Sequence, residues 1–149
     1  MAEMNNRQAY FNYHIEDKYV AGIVLLGTEV KSIREGKVSF NDSFCFFDHG
    51  ELWVRALYIA EYAQGSNNNH IAVHDRKLLL SKRELKKWEG RMKDKGYTIV
   101  PLKIFFTDKN LVKVEIGIGR GKKLHDKRET IKSRDVDKEI KRALNKNQS

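Results

Sequence analysis

The run from Leu111 to Ile118 constrains the fold more than any other part of the chain. Val112, Val114, Ile116 and Ile118 alternate with Lys113, Glu115, Gly117 and Gly119. That is the period of a strand with one buried and one open face, whereas a helix would scatter these residues around its axis. Residues 107–110, Thr-Asp-Lys-Asn, join this strand to a second apolar segment at 97–106, so the two read as an antiparallel hairpin. The only proline, Pro101, lies in the first arm. It deletes one ladder donor there, which calls for an edge position or a bulge.

Four further segments carry strand signals. Residues 10–15 alternate Phe11, Tyr13, Ile15 against Tyr10, Asn12, His14, and 19–26 is a β-branched, apolar run. Residues 38–47 and 52–59 flank Asp48-His49-Gly50-Glu51, whose His-Gly pair suits a hairpin turn needing positive φ. Two helices are expected. One is short, with Thr28 as N-cap, Glu29 complementing the positive helix end, Val30 and Ile33 facing inward, and Gly36 closing it. The other spans 82–95, where Ser81 and Glu84 match a capping box, Leu85, Trp88 and Met92 share a face, and Gly96 stops the helix. Residues 61–75 have no periodicity and read as a long exposed loop, which in a compact domain is usually functional or disordered. Roughly six strands with two inserted helices imply a mainly β chain: an antiparallel, oligonucleotide-binding (OB-like) barrel, with a β-sandwich as the alternative.

The 149 residues suit one such domain. The expected division is a polar N-terminal tail at 1–8, the barrel at 9–120 and a basic C-terminal tail at 121–149. The polar start, Met-Ala-Glu-Met-Asn-Asn-Arg, does not resemble a secretory signal, and no apolar run approaches the roughly 20 residues of a membrane helix, so a cytoplasmic protein is expected. Cys45, the single cysteine, sits in the apolar run Ser-Phe-Cys-Phe-Phe and reads as a core residue.

Charge is concentrated at one end. Six of the nine residues from Arg120 to Arg128 are Lys, Arg or His. From Arg120 onward 11 Lys and Arg face 5 Asp and Glu, which leaves +6 of the chain's +9. Such a tail is attracted to phosphate, and His125 can stack on an exposed base. Beyond it Val136, Ile140 and Leu144 fall four apart and make a narrow apolar stripe. This stripe is too slight to hold a helix alone, so the tail is expected to order only on a surface. No bulky aromatic follows Phe106, which favours nucleic acid over a membrane as that surface.

Catalytic patterns are thin. His70 and His74 are four apart with Asp75 beside them, the only spacing that suggests a metal-dependent nuclease, but Ile71 stands where a His-Glu-x-x-His motif needs its glutamate. Gly117, Gly119 and Gly121 lack the Lys-Ser/Thr of a phosphate-binding loop and point instead to close backbone approach or strand bending. We expect no catalytic residue, metal or cofactor. The parts of an RNA-binding surface are present. Arg76, Lys77, Lys82 and Arg83 flank the long loop, and Tyr10, Tyr13, Trp53 and Tyr62 are aromatics available for stacking.

Several motifs together carry a resemblance. Residues 27–32 (Gly-Thr-Glu-Val-Lys-Ser), 76–80 (Arg-Lys-Leu-Leu-Leu), 82–84 (Lys-Arg-Glu), 100–103 (Val-Pro-Leu-Lys) and above all 121–128 (Gly-Lys-Lys-Leu-His-Asp-Lys-Arg) are similar to the small protein B family, the bacterial tmRNA-binding or SsrA-binding proteins. The likeness runs from about Asn6 to the C-terminus. It implies a non-enzymatic OB-like barrel that holds the tRNA-like domain of tmRNA and brings it to stalled ribosomes for trans-translation. By motif, Glu29, Lys31, Arg76, Lys77, Arg83 and Lys113 would belong to the RNA-binding body. Lys122, Lys123, His125, Asp126, Lys127, Arg128, Ile140 and Leu144 would belong to a tail that enters the mRNA channel and meets small-subunit rRNA at the decoding centre. The resemblance further implies elongation factor Tu as a partner through aminoacylated tmRNA, a monomer, and no membrane. One segment departs from the family, whose loops commonly carry an Asp-Pro or Glu-Pro pair and a further Arg. Residues 69–77 read Asn-His-Ile-Ala-Val-His-Asp-Arg-Lys, which lacks the acidic-Pro pair and has His74 in place of that Arg.

Overall fold

The hairpin read from the alternating segment is the spine of the molecule. The computed structural model describes residues 3–65 and 69–122. Among them the order is β1 (Glu3–Asn5), α1 (Arg7–Asn12), β2 (Tyr13–Ile23), α2 (Gly27–Arg34), β3 (Val38–Ser39), β4 (Phe44–Asp48), β5 (Glu51–Arg55), β6 (Tyr58–Ile59), β7 (Arg76–Leu79), α3 (Lys82–Arg91), β8 (Tyr97–Phe106) and β9 (Val112–Gly121). Strand β9 pairs antiparallel with β8 on one edge and β2 on the other, and its buried Val114, Ile116 and Ile118 fill the centre of the core.

The neighbours run β8, β4, β5, β7, β2, β9, and the β8–β9 pairing closes this ring, which makes a barrel rather than a sandwich. Inside, Leu52, Val54, Leu78, Ile99 and Ile104 meet Ile33 from α2 and Trp88 from α3. A smaller cluster of Ala9, Val100 and Leu102 packs outside it beneath α1. Strands β3 and β6 form a separate two-stranded pair.

Local chemistry accounts for most boundaries. His49 and Gly50 have φ of 52° and 77°, the left-handed pair that a two-residue hairpin turn between β4 and β5 requires. The β8–β9 register slips between Pro101 and Lys103, so Pro101 does sit at a bulge. There its carbonyl accepts the Asn6 side-chain amide at 2.7 Å.

Four expectations change. Residues 10–12 are helical rather than extended, because the Asn6 side chain caps α1 by accepting the Ala9 N–H, and Ala9 buries against Val100 and Leu102. Residues 3–5, placed in a polar tail by the sequence, form β1 against the outer half of β8, with Lys103 and Glu3 paired at 2.9 Å. In α2 the cap position is Leu26 instead of Thr28, and the Leu26 N–H donates to the Glu29 carboxylate at 2.8 Å. Helix α3 starts at Lys82 behind its Ser81 cap as expected but ends at Arg91. Lys93 and Asp94 then bond carbonyls three residues back, which tightens the chain toward Gly96 at φ +93°.

The glycines of β9 are explained by approach distance. A Cβ on Gly117 would lie 2.6 Å from Leu102 Cδ1, and one on Gly119 would strike the His14 carbonyl, whereas Gly121 has open space around it. Gly119→Ala is therefore expected to lose about 1–3 kcal/mol by overpacking. Gly121→Ala should stay within about 0.5 kcal/mol of the parent. Paired urea melts of the two variants check this contrast.

Candidate nucleic-acid interface

Strand β7 carries the site. Its four residues alternate, so Arg76 and Leu78 turn into the barrel while Lys77 and Leu79 turn out. A guanidinium inside a core needs acceptors for its N–H groups. Arg76, 1% exposed, finds them all locally. Its Nε donates to Glu29 Oε2 at 2.6 Å, Nη1 to the Leu57 carbonyl at 2.7 Å, and Nη2 to the Ala72 carbonyl at 3.0 Å. Glu29 is equally buried, and its other oxygen holds the start of α2. One ion pair thus ties together α2, β7, the turn after β5 and the 71–76 segment.

The loop between β6 and β7 is anchored along its described part. Asn69 copies a strand partner, accepting the Tyr62 N–H at 3.0 Å and donating to the Tyr62 carbonyl at 2.7 Å. His70, expected on an exposed loop, is 3% exposed, with Nδ1 at 2.9 Å from Thr28 Oγ1 and Nε2 at 2.9 Å from the Ile59 carbonyl. His74 turns its Nε2 to Glu29 Oε2 at 2.8 Å and its Nδ1 to the Asp75 carbonyl at 2.9 Å. Asp75 forms a two-pronged pair with Arg55, at 3.0 Å from both Nε and Nη2. His70, His74 and Asp75 therefore face three different sets of partners. Among the described residues no group of three or more His, Cys, Asp or Glu side chains converges in a metal-binding arrangement.

Burial alone would raise the Glu29 pKa, but the Leu26 N–H, Arg76 and His74 outweigh it and hold the carboxyl below its ordinary value of 4.5. The ionised form is the one the fold keeps.

Outside the barrel, cross-strand partners build a continuous face. Leu79 on β7 lies opposite Gly22 on β2, Gly22 opposite Lys113 on β9, and Lys113 opposite Phe105 on β8. One step along, Lys77 lies opposite Trp53, and Trp53 opposite Phe46. Arg55 stacks over the Phe46 ring at 4.2 Å. Lysines interleaved with aromatic and aliphatic surface suit an RNA backbone with unpaired bases. Gly22 keeps the middle of this face low; a Cβ there would already press on Leu79 Cβ at 3.3 Å.

Of the residues singled out in the sequence, Lys77 and Lys113 share this face on strands separated by β2, while Glu29 and Arg76 form a buried pair. Lys77 is half-buried and reaches Glu51 at 3.6 Å. Lys31 sits on the exposed side of α2 with Nζ 5.5 Å from the Tyr62 ring centre, and Arg83 is exposed in the first turn of α3. Lys122, at the end of β9, donates to the Tyr10 carbonyl at 3.1 Å. Lys123, His125, Asp126, Lys127, Arg128, Ile140 and Leu144 lie outside the described residues. Sequence reasoning treated Arg76 and Lys77 as one cationic pair and passed over Phe46. The strand alternation in Arg76–Leu79 was the signal that separates them.

The family described as SmpB protein matches residues 3–146. The chain belongs to that family. The SsrA-binding protein of Parabacteroides distasonis is 52% identical over 142 residues, covering 95% of this chain and 93% of the relative. That of Bacteroides thetaiotaomicron is 52% identical over 139 residues, 93% of each. A solved SmpB chain, from work described as "tmRNA-SmpB: a journey to the center of the bacterial ribosome", superposes with a TM-score of 0.69 at 49% identity. The match covers 80% of this chain and 84% of that one. The mostly β fold read from the sequence is thus a member's fold.

Glu29→Gln would leave Arg76 charged, buried and without its counter-ion, which is expected to cost about 3–5 kcal/mol at neutral pH. A carboxyl with a lowered folded pKa adds stability above its unfolded pKa and loses it as pH falls through the folded value. The gap between parent and Glu29→Gln should therefore be full at pH 7, begin to narrow near pH 4.5, the ordinary carboxyl value, and close only as pH falls through the lower folded value. Urea melts of both proteins across pH 3–7 measure it.

Proposed function

We propose that this protein binds the tRNA-like domain of tmRNA (SsrA RNA) and delivers it to stalled ribosomes for trans-translation, acting by binding rather than by catalysis. The observation that supports this reading most is continuity. The family match runs from residue 3 to residue 146, through barrel and basic tail alike, at about half identity to named SsrA-binding proteins.

The barrel selects the RNA. Lys77 and Lys113 meet phosphate across the face of β7, β2 and β9, with Lys31 and Arg83 extending the contact. Glu29 and Arg76 serve this body from within, by fixing α2 and the 69–76 segment against which the RNA lies. The tail, with Lys122, Lys123, His125, Asp126, Lys127 and Arg128 followed by Ile140 and Leu144, engages small-subunit rRNA at the decoding centre and mRNA channel. The protein works as a cytoplasmic monomer and meets elongation factor Tu through aminoacylated tmRNA. Among the described residues no helix is long and apolar enough to cross a membrane.

Binding to tmRNA should exceed binding to an unrelated RNA of equal length, and should weaken with salt by roughly 0.7–0.9 log units per log unit of salt for each phosphate neutralised. Lys113→Ala should lower that slope by about one phosphate's worth and leave the fold intact. Removing residues 121–149 should retain most tmRNA affinity and abolish peptide tagging on stalled ribosomes. Equal affinity for the unrelated RNA would overturn the reading, and retained tagging would overturn the division between barrel and tail.

A further inference from the structure

A neutral imidazole carries one N–H and one lone pair, so it satisfies an acceptor at one ring nitrogen and a donor at the other. The two histidines of the 69–76 segment meet this rule differently. His70 Nε2 lies 2.9 Å from the Ile59 carbonyl, which only accepts, and its Nδ1 lies 2.9 Å from the Thr28 hydroxyl, which can donate. A neutral ring with its proton on Nε2 fits both. His74 instead has acceptors at both ends: Glu29 Oε2 is 2.8 Å from Nε2, and the Asp75 backbone carbonyl is 2.9 Å from Nδ1. Either neutral tautomer turns a lone pair onto one of those oxygens. Only the imidazolium, with two N–H groups, donates to both.

The charges around the ring are fixed. Against the cost of burial, the Leu26 N–H, Arg76 and His74 hold the Glu29 carboxyl below its ordinary value of 4.5. The Asp75 carboxyl takes both prongs of Arg55 at 3.0 Å, which holds it below its ordinary value of 3.8. Arg76 shares Glu29 Oε2 at 2.6 Å and stays charged at any pH near neutrality. The groups facing the ring are thus Glu29 on α2, Arg76 on β7, Asp75 in the segment itself and, through Asp75, Arg55 on β5. None of them changes charge between about pH 5 and 8, the span in which an imidazole does. His70 titrates in that span too, but it turns to Thr28 and Ile59 instead.

Exposure separates His74 from the pair it serves. Its side chain is 37% exposed, against 1% for Glu29 and 0% for Arg76. The ring therefore exchanges its proton with water while the pair beneath it stays buried. Doubly protonated, it completes one chain of bonds from Arg55 through Asp75 and His74 to Glu29 and Arg76, and this chain ties the segment before β7 to both β5 and α2.

We propose that His74 is a positioning residue that works as its imidazolium, clamping the 71–76 segment between α2 and β5, so that loss of the proton to water frees one end of the ring, loosens the segment and weakens tmRNA binding. The proton favours the ordered segment, so the contribution is full at the acid end of the span and is lost as pH rises. The link to tmRNA rests on the RNA-binding reading above; the charge of the ring does not.

The test compares three full-length proteins from pH 5.5 to 8.5: the parent, His74→Gln, which is neutral throughout, and His74→Arg, which is charged throughout. Nitrogen NMR of the parent's imidazole rings gives the pH at which His74 loses its proton, and tmRNA affinity at fixed salt and urea midpoints are measured for all three. The RNA and the other histidines are common to the three proteins, so only ratios are read. The parent should bind tmRNA about 3- to 10-fold tighter than His74→Gln at the acid end, as loss of one hydrogen bond implies. That ratio should fall toward 1 across the pH at which the ring loses its proton, while His74→Arg keeps its advantage over His74→Gln at pH 8.5. Urea midpoints should follow the same order. An affinity ratio of parent to His74→Gln that stays flat through that pH would overturn the proposal, and this comparison decides alone should His74→Arg melt early. Failure of the parent to prefer tmRNA over an unrelated RNA would instead overturn the RNA reading, and the urea midpoints would then decide whether the proton clamps the segment.

Discussion

The ion pair between Glu29 and Arg76 is the constraint on which one whole side of the barrel depends. Two opposite charges in a protein interior are tolerated only when each also has its remaining hydrogen bonds met. Here that requirement fixes geometry at a distance. Arg76 must find the Leu57 and Ala72 carbonyls, so the turn after β5 and the segment before β7 have to come to it. Glu29 must meet the Leu26 N–H, so α2 starts where it does. Satisfying one buried guanidinium settles where four pieces of chain meet.

That arrangement bears on function through alternation along β7. With Arg76 directed inward, Lys77 and Leu79 are directed outward onto the face shared with Gly22 and Lys113. His74 serves the same buried carboxylate from the loop side. Both of its ring nitrogens face oxygen acceptors, a carboxylate and a carbonyl. His74 is therefore part of the anchoring of the loop. The face itself, together with the basic tail, is where the proposed RNA contacts lie.

Much of this was legible in the sequence, and what was not has physical reasons. Period-two alternation exposed the β8–β9 hairpin, His49-Gly50 exposed the β4–β5 turn, and Pro101 announced its bulge, because each depends on nearest neighbours. Residues 10–12 alternate as convincingly as a strand yet are helical. A cap by Asn6 and burial of Ala9 under β8 decide the matter, and neither contact is visible in the local pattern. Likewise Glu29 and Arg76 looked like surface charges near a binding loop. Their partnership spans 47 positions, and only the closed barrel brings them together. The tail's charge was plain in the sequence alone.

The central claim is that Glu29 and Arg76 support RNA binding as a unit, from beneath the surface, rather than as two contacts to RNA. A double-mutant cycle on tmRNA affinity tests this most directly, using Glu29→Gln, Arg76→Met and the double variant, each checked for folding. Strong coupling is expected: either single change should weaken binding, and the double variant should bind no worse than the poorer single. Losses that simply add, as separate phosphate contacts would give, would contradict it.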